Sequence, residues 1–117
     1  FILILVIHFL ADFGLQTHEQ ATLKGTSNKF LFYHITVYTL VWGVVYLTLP
    51  VEQSFIEWFF FCLLIGIPHY IVDWCTSRIG KPFWENKDLH NGFVVVGADQ
   101  IAHYLCLIYV FNVLGLI

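Results

Sequence analysis

Four long apolar runs, parted by shorter polar stretches, organise this chain. They are FILILVIHFLADFGLQ at 1–16, FLFYHITVYTLVWGVVYLTL at 30–49, a run over 54–76 and another over 93–117. Each reaches or approaches the ~20 apolar residues that a membrane-spanning helix requires. The second stops at Pro50. Segments such as FIEWFFFCLLIGI are apolar on every side, as lipid-facing or buried helices are. The pattern predicts an all-α, four-span transmembrane helical bundle forming a single membrane domain over 1–117. A secretory signal is a poor reading of the first run, because His8 and Asp12 interrupt its apolar centre.

Composition agrees. Hydrophobic residues make up 59% and charged residues 11%, with a mean hydropathy of +0.78, whereas soluble chains carry about 25% charge. A soluble four-helix di-metal bundle is therefore a distant alternative. The chain contains no Met, so Phe1 is not an initiator and further residues are expected ahead of it. A net charge of −3 suggests no nucleic-acid partner; the expected partner is membrane lipid. A homo-oligomer stays open, although no GxxxG motif supports one. Cys62, Cys75 and Cys106 all lie within apolar runs. There they read as small packing hydrophobes rather than a disulfide framework.

The polar stretches differ in charge. Lys24 and Lys29 fall in the first, residues 17–29; Arg78, Lys81 and Lys87 fall in the third, residues 77–92; the second, near 50–53, has no Lys or Arg. In a four-span topology the first and third share a side. The positive-inside rule makes that side cytoplasmic, in an inner or cytoplasmic membrane. The third stretch, KPFWENKDLHNG, reads as a solvated connector, an interfacial helix or a lid.

The ionisable residues inside the spans form a pattern of their own. His8 and Asp12, His69 and Asp73, and Asp99 and His103 are pairs at i,i+4; His34 stands alone in the second span. The spacing stacks each pair on one helical face. An Asp at the centre of a membrane helix costs about 2.5–3.5 kcal/mol on insertion scales. Three of them call for partners, water or a metal. Counted from the loops, all seven residues fall in the half of the membrane next to stretches one and three.

Imidazole and carboxylate on facing bundle helices are what a transition-metal site needs. The candidate ligands are His8, Asp12, His34, His69, Asp73, Asp99 and His103, with Asp12, Asp73 and Asp99 as candidate catalytic carboxylates. Zinc comes first, with iron or manganese as alternatives. Seven donors exceed one closed zinc site and suit either two ions or one ion with outer partners. Three aspartates carry −3, so one divalent ion leaves −1 and two leave +1. Pro68, beside His69, removes a backbone bond and is expected to kink its helix. Gln16, Gln100 and Tyr38 are candidate hydrogen-bonding neighbours. Cys106 reads as packing, and His18 and His90 as solvated loop residues.

HFLADFGLQT at 8–17, HYIVDW at 69–74 and DQIAHYL at 99–105 resemble the signature of domain of unknown function 3307. This is an uncharacterised family of small bacterial and phage membrane proteins. The match includes His8, Asp12, Phe13, Gln16, His34, His69, Asp73, Asp99, Gln100 and His103. The resemblance implies no established activity.

Three functions remain open. The first is a membrane-embedded, metal-dependent hydrolase of a phospholipid or other phosphoester, with metal-activated water and a carboxylate as general base. The second is an ion or proton transporter using the His/Asp residues as a relay. The third is a non-catalytic structural or accessory membrane protein.

Overall fold

The computed structural model describes residues 2–52 and 54–117. The expected starting residue of the first span, Phe1, and Gln53 of the second connector lie outside the described residues. The described chain is helical, without a strand among the described residues. The elements are α1 (Ile2–Phe9), continued by a π-helical turn over Leu10–Gly14, then α2 (His18–Leu23), α3 (Asn28–Leu47), α4 (Phe55–Glu85) and α5 (Leu89–Val113). α4 is the spine, packed on α3 along one side and α5 along the other.

Three helices, α3, α4 and α5, are long and apolar enough to cross a membrane, not the four expected. The first segment, Ile2–Gly14, is apolar but shorter. At about 1.5 Å per residue its described part falls short of a hydrocarbon core of about 30 Å. Its helix ends where the π turn meets Leu15, whose N–H donates to Leu10 O at 2.9 Å.

The other boundaries also shift. Expected to stop at Thr76, α4 runs on to Glu85 as one helix of 31 residues, through Pro68 and Pro82. Its length is about 46 Å by the helical rise, well beyond the hydrocarbon thickness. Most of the third polar stretch is thus a helical extension rather than a loop. Hydropathy falls after Thr76, yet the helix continues past Gly80 and Pro82. The stop is a Schellman turn: Asp88 N–H donates to Phe83 O at 2.9 Å and Lys87 N–H to Trp84 O at 3.2 Å. Lys87 takes the left-handed position, φ 58°, which usually falls to glycine. Asp88 then caps α5 by accepting from Asn91 N–H at 3.1 Å. The Asn91 side-chain amide and backbone N–H hold the Asp88 carboxyl below its usual range.

Both basic stretches lie at one end of the bundle. Arg78 on the α4 extension donates to Asn28 Oδ1 at the start of α3, and Lys24 reaches Asp73. Towards the other end sits an apolar core of Trp42, Tyr46, Phe61, Leu107, Val110 and Phe111. Ile56, Phe60, Ile101 and Tyr109 are exposed on the outer surface, as a lipid-facing exterior requires.

α3 and α4 approach closely at Gly66, where an added Cβ would lie 2.6 Å from Thr39 Oγ1. Gly66 stands three residues before His69, so the contact sets the depth of the site. Gly66→Ala is expected to cost about 1–3 kcal/mol by overpacking, read as a lower unfolding temperature in detergent. An unchanged temperature would show that the helices separate freely there.

Candidate metal centre

All seven sequence-predicted residues converge at the basic end of the bundle, and all are buried or nearly so. The i,i+4 pairs on α4 and α5 face the same interior. α3 supplies His34. The first segment supplies His8 from α1 and Asp12 from the π turn. A π turn widens the helix and re-aims its side chains, as such turns often do at functional sites. Here Ala11 and Asp12 are the buried residues of the turn.

Four donor atoms meet at the middle. His34 Nε2 lies 3.0 Å from Asp12 Oδ1, 3.1 Å from Asp73 Oδ2 and 3.3 Å from His69 Nε2. His69 Nε2 lies 3.6 Å from each of the same two carboxylate oxygens. A tetrahedral metal with bonds of about 2.0–2.1 Å separates its ligand atoms by about 3.3 Å. Five of the six edges of such a tetrahedron, 3.0–3.6 Å, bracket that value. Hydrogen bonds alone serve this arrangement poorly, since His34 Nε2 carries at most one proton and faces two carboxylate oxygens and a second ring nitrogen. These buried groups can therefore hold a metal ion. Among the described residues, Nδ1 of His34 and of His69 has no hydrogen-bond partner, so neither ring has there the outer acceptor that usually orients a ligating imidazole.

A second group, Asp12, Asp99 and His103, adjoins the first and shares Asp12 with it. His103 Nε2 lies between Asp73 Oδ1 at 3.5 Å and Asp99 Oδ1 at 3.4 Å. His8 belongs to neither group. Its Nδ1 meets Tyr38 Oη at 2.9 Å and its Nε2 meets Gln100 Oε1 at 3.1 Å.

Gln100 fixes the direction of that network. Its amide nitrogen donates to Asp12 Oδ2 at 2.9 Å and Asp99 Oδ2 at 3.0 Å, using both hydrogens on acceptors that cannot donate. Its oxygen must then accept from His8 Nε2–H. A neutral His8 ring leaves Nδ1 to accept from the Tyr38 hydroxyl. Tyr38 also stacks on His69, with centroids 3.6 Å apart. Of the three residues weighed as neighbours, Gln100 and Tyr38 thus orient the donors, whereas Gln16 Oε1 has no hydrogen-bond partner among the described residues.

The chain belongs to the DUF3307 family. It matches the family described as "Protein of unknown function (DUF3307)" over residues 1–116. No curated protein and no solved structure shows a significant match to it.

Two residues of the centre escaped the sequence pattern. Lys24 Nζ lies 3.2 Å from both oxygens of Asp73. Thr76 Oγ1 donates to Asp99 Oδ1. Lys24 sits in the turn after α2, which is pressed against α4: an added Cβ on Gly25 would lie 3.0 Å from Ser77 O. A lone lysine before a turn carries no spacing signal, and its partner is 49 positions away. Other residues stay outside. His18 and His90 are exposed. Cys106, a free thiol, borders only a small void beside His69 and His103.

A cavity of about 650 Å3 opens onto the centre between the first polar stretch and the α4–α5 hairpin. Asp73 and Asp99 form its polar floor, and Phe13, Trp84 and Val95 form part of its wall. The residue expected to open an aqueous pocket, Pro68, does not line it.

Proposed function

We propose that this protein is an integral membrane protein holding one divalent transition metal between His34, His69, Asp12 and Asp73, and using it to hydrolyse a phospholipid or other phosphoester. The cluster of four buried donor atoms, with five of its six separations at 3.0–3.6 Å, is the observation that carries this reading. Zinc suits that geometry best, with iron or manganese as alternatives. Lys24 supports a count of one. Three aspartates and one lysine sum to −2, which one divalent ion neutralises and two would overshoot.

The bound ion would lower the pKa of a water and polarise the scissile group. The chain's own residues have separate tasks. Asp99, in the adjoining group and on the cavity floor, is free to take a proton as general base. Thr76 and Gln100 hold its carboxylate. His8 and Tyr38 position Asp12 and His69 through Gln100 and the stacked ring. The basic end of the bundle faces the cytoplasm by the positive-inside rule, which places the cavity at the cytoplasmic interface.

The proton-relay alternative draws on the continuous network from Tyr38 through His8 and Gln100 to the aspartates. A relay must also cross the other half of the membrane. There Trp42, Phe61 and Phe111 close the bundle, which favours the hydrolytic reading.

Metal content, measured by mass spectrometry on detergent-purified protein, tests the proposal. The expected result is one zinc, iron or manganese per chain, lost when His34 and His69 are both changed to Ala. A folded wild type purified without chelators and holding no metal would overturn it, and proton flux in liposomes would then test the relay.

A further inference from the structure

We infer that the cavity above the centre is a receptor for a phosphate-bearing amphiphile, with Lys24 and Ser77 holding the phosphate and the apolar wall taking the start of the chain. The inference rests on the metal reading and deepens it by naming the ligand.

Two residues of the cavity lining each carry a buried polar atom without a partner among the described residues: Ser77 Oγ and Gln16 Oε1. Buried polar groups are normally satisfied, so this pair is suited to a ligand that brings both an acceptor and a donor. A phosphate monoester brings its oxygens to the Ser77 hydroxyl and a P–OH to the Gln16 oxygen. Lys24 lies on the same lining and is 18% exposed, while its partner Asp73 is 1% exposed. Its ammonium is therefore the more accessible member of the pair. Once Asp73 Oδ2 binds a metal, that carboxylate needs less of the lysine charge, and Nζ is available to an anion.

The same geometry makes anion binding conditional. Asp73 and Asp99 on the floor repel a phosphate until a metal offsets them. A bare phosphate also leaves the apolar wall of Phe13, Trp84 and Val95 uncovered. Trp84 and Phe13 are themselves partly exposed at 41% and 39%. They line the approach from the lipid-facing surface, where Phe9, Leu10 and Phe93 are also exposed. The expected ligand is thus a lipid phosphate.

Calorimetry on zinc-loaded protein in detergent tests this, with metal content measured on the same samples. The probes are dihexanoyl phosphatidic acid, dihexanoylglycerol and inorganic phosphate. The lipid phosphate is expected to bind at least about tenfold more tightly than either of the others. Lys24→Met, compared with wild type at equal zinc occupancy, is expected to weaken it about tenfold, the scale of one hydrogen bond to a charged group. Ser77→Ala, which leaves the Asp73 pair intact, is expected to weaken it by a smaller factor and serves if Lys24→Met fails to fold. Equal binding of dihexanoylglycerol would overturn the phosphate assignment, and equal binding of inorganic phosphate would overturn the amphiphile. Wild type without metal marks failure of the metal reading; metal-loaded wild type with no preference for the lipid phosphate marks failure of this inference alone.

Discussion

Asp73→Ala is expected to abolish stoichiometric metal and weaken binding by more than about 100-fold. Loss of a mere outer partner costs about 10–100-fold, and Asp73 is placed as a ligand. It also touches more of the centre than that role alone requires. One oxygen lies 3.1 Å from His34 Nε2, the other 3.5 Å from His103 Nε2, and both lie 3.2 Å from Lys24 Nζ. Removing the carboxylate leaves His34 and His103 short of a partner inside the bundle. Truncating one member of a buried charge pair costs about 3–5 kcal/mol, but Lys24 is 18% exposed and can turn toward water, so the cost is expected near the lower end. Asp73→Asn keeps the shape while removing the charge. It should lose metal nearly as completely and retain more of the fold. Competition with a chelator of known affinity reads the first effect, and thermal unfolding in detergent reads the second. Retention of one tightly held metal in Asp73→Ala would place the ion elsewhere, in the group of Asp12, Asp99 and His103.

Much of this centre was legible because helical periodicity is a local rule. His69 with Asp73 and Asp99 with His103 need only an α-helix to share a face, and the structure supplies one in each case. Their common depth followed from counting residues inward from the charged stretches. What escaped were features that depend on distant partners or on breaks in the regular helix. The π turn at Leu10–Gly14 has no composition of its own, yet it carries Asp12. Lys24 reads as one of five basic residues near the helix ends until the turn at Gly25 packs on Ser77 and brings it to Asp73. The true end of α4 depends on Lys87 taking a left-handed conformation, a place where sequence reasoning looks for glycine. The length of the extension followed from that single turn, and with it the hairpin wall of the cavity.

Gln100→Glu is expected to be more damaging than Gln100→Ala, although it is nearly isosteric. The native amide nitrogen donates to Asp12 and Asp99 at 2.9 and 3.0 Å. A carboxylate in that place would set an acceptor against two acceptors and add a fourth negative charge to the cluster. Like charges at such separations disfavour ionisation strongly, and an uncompensated buried charge costs about 3 kcal/mol or more. The alanine variant loses the clamp but adds no charge. It leaves His8 Nε2–H, Asp12 Oδ2 and Asp99 Oδ2 each short of one partner, at about 1–3 kcal/mol for an unsatisfied buried group. The two substitutions therefore separate electrostatics from packing at one position. Unfolding temperatures in detergent read the order, and saturating zinc supplies a control. If the ion neutralises the centre, zinc should recover more stability in Gln100→Glu than in Gln100→Ala, because the added carboxylate deepens the negative site that the metal fills. Equal stability of the two variants without metal would mean that the carboxylates beside Gln100 are not both ionised. The charge count that argues for a single divalent ion would then fail with it.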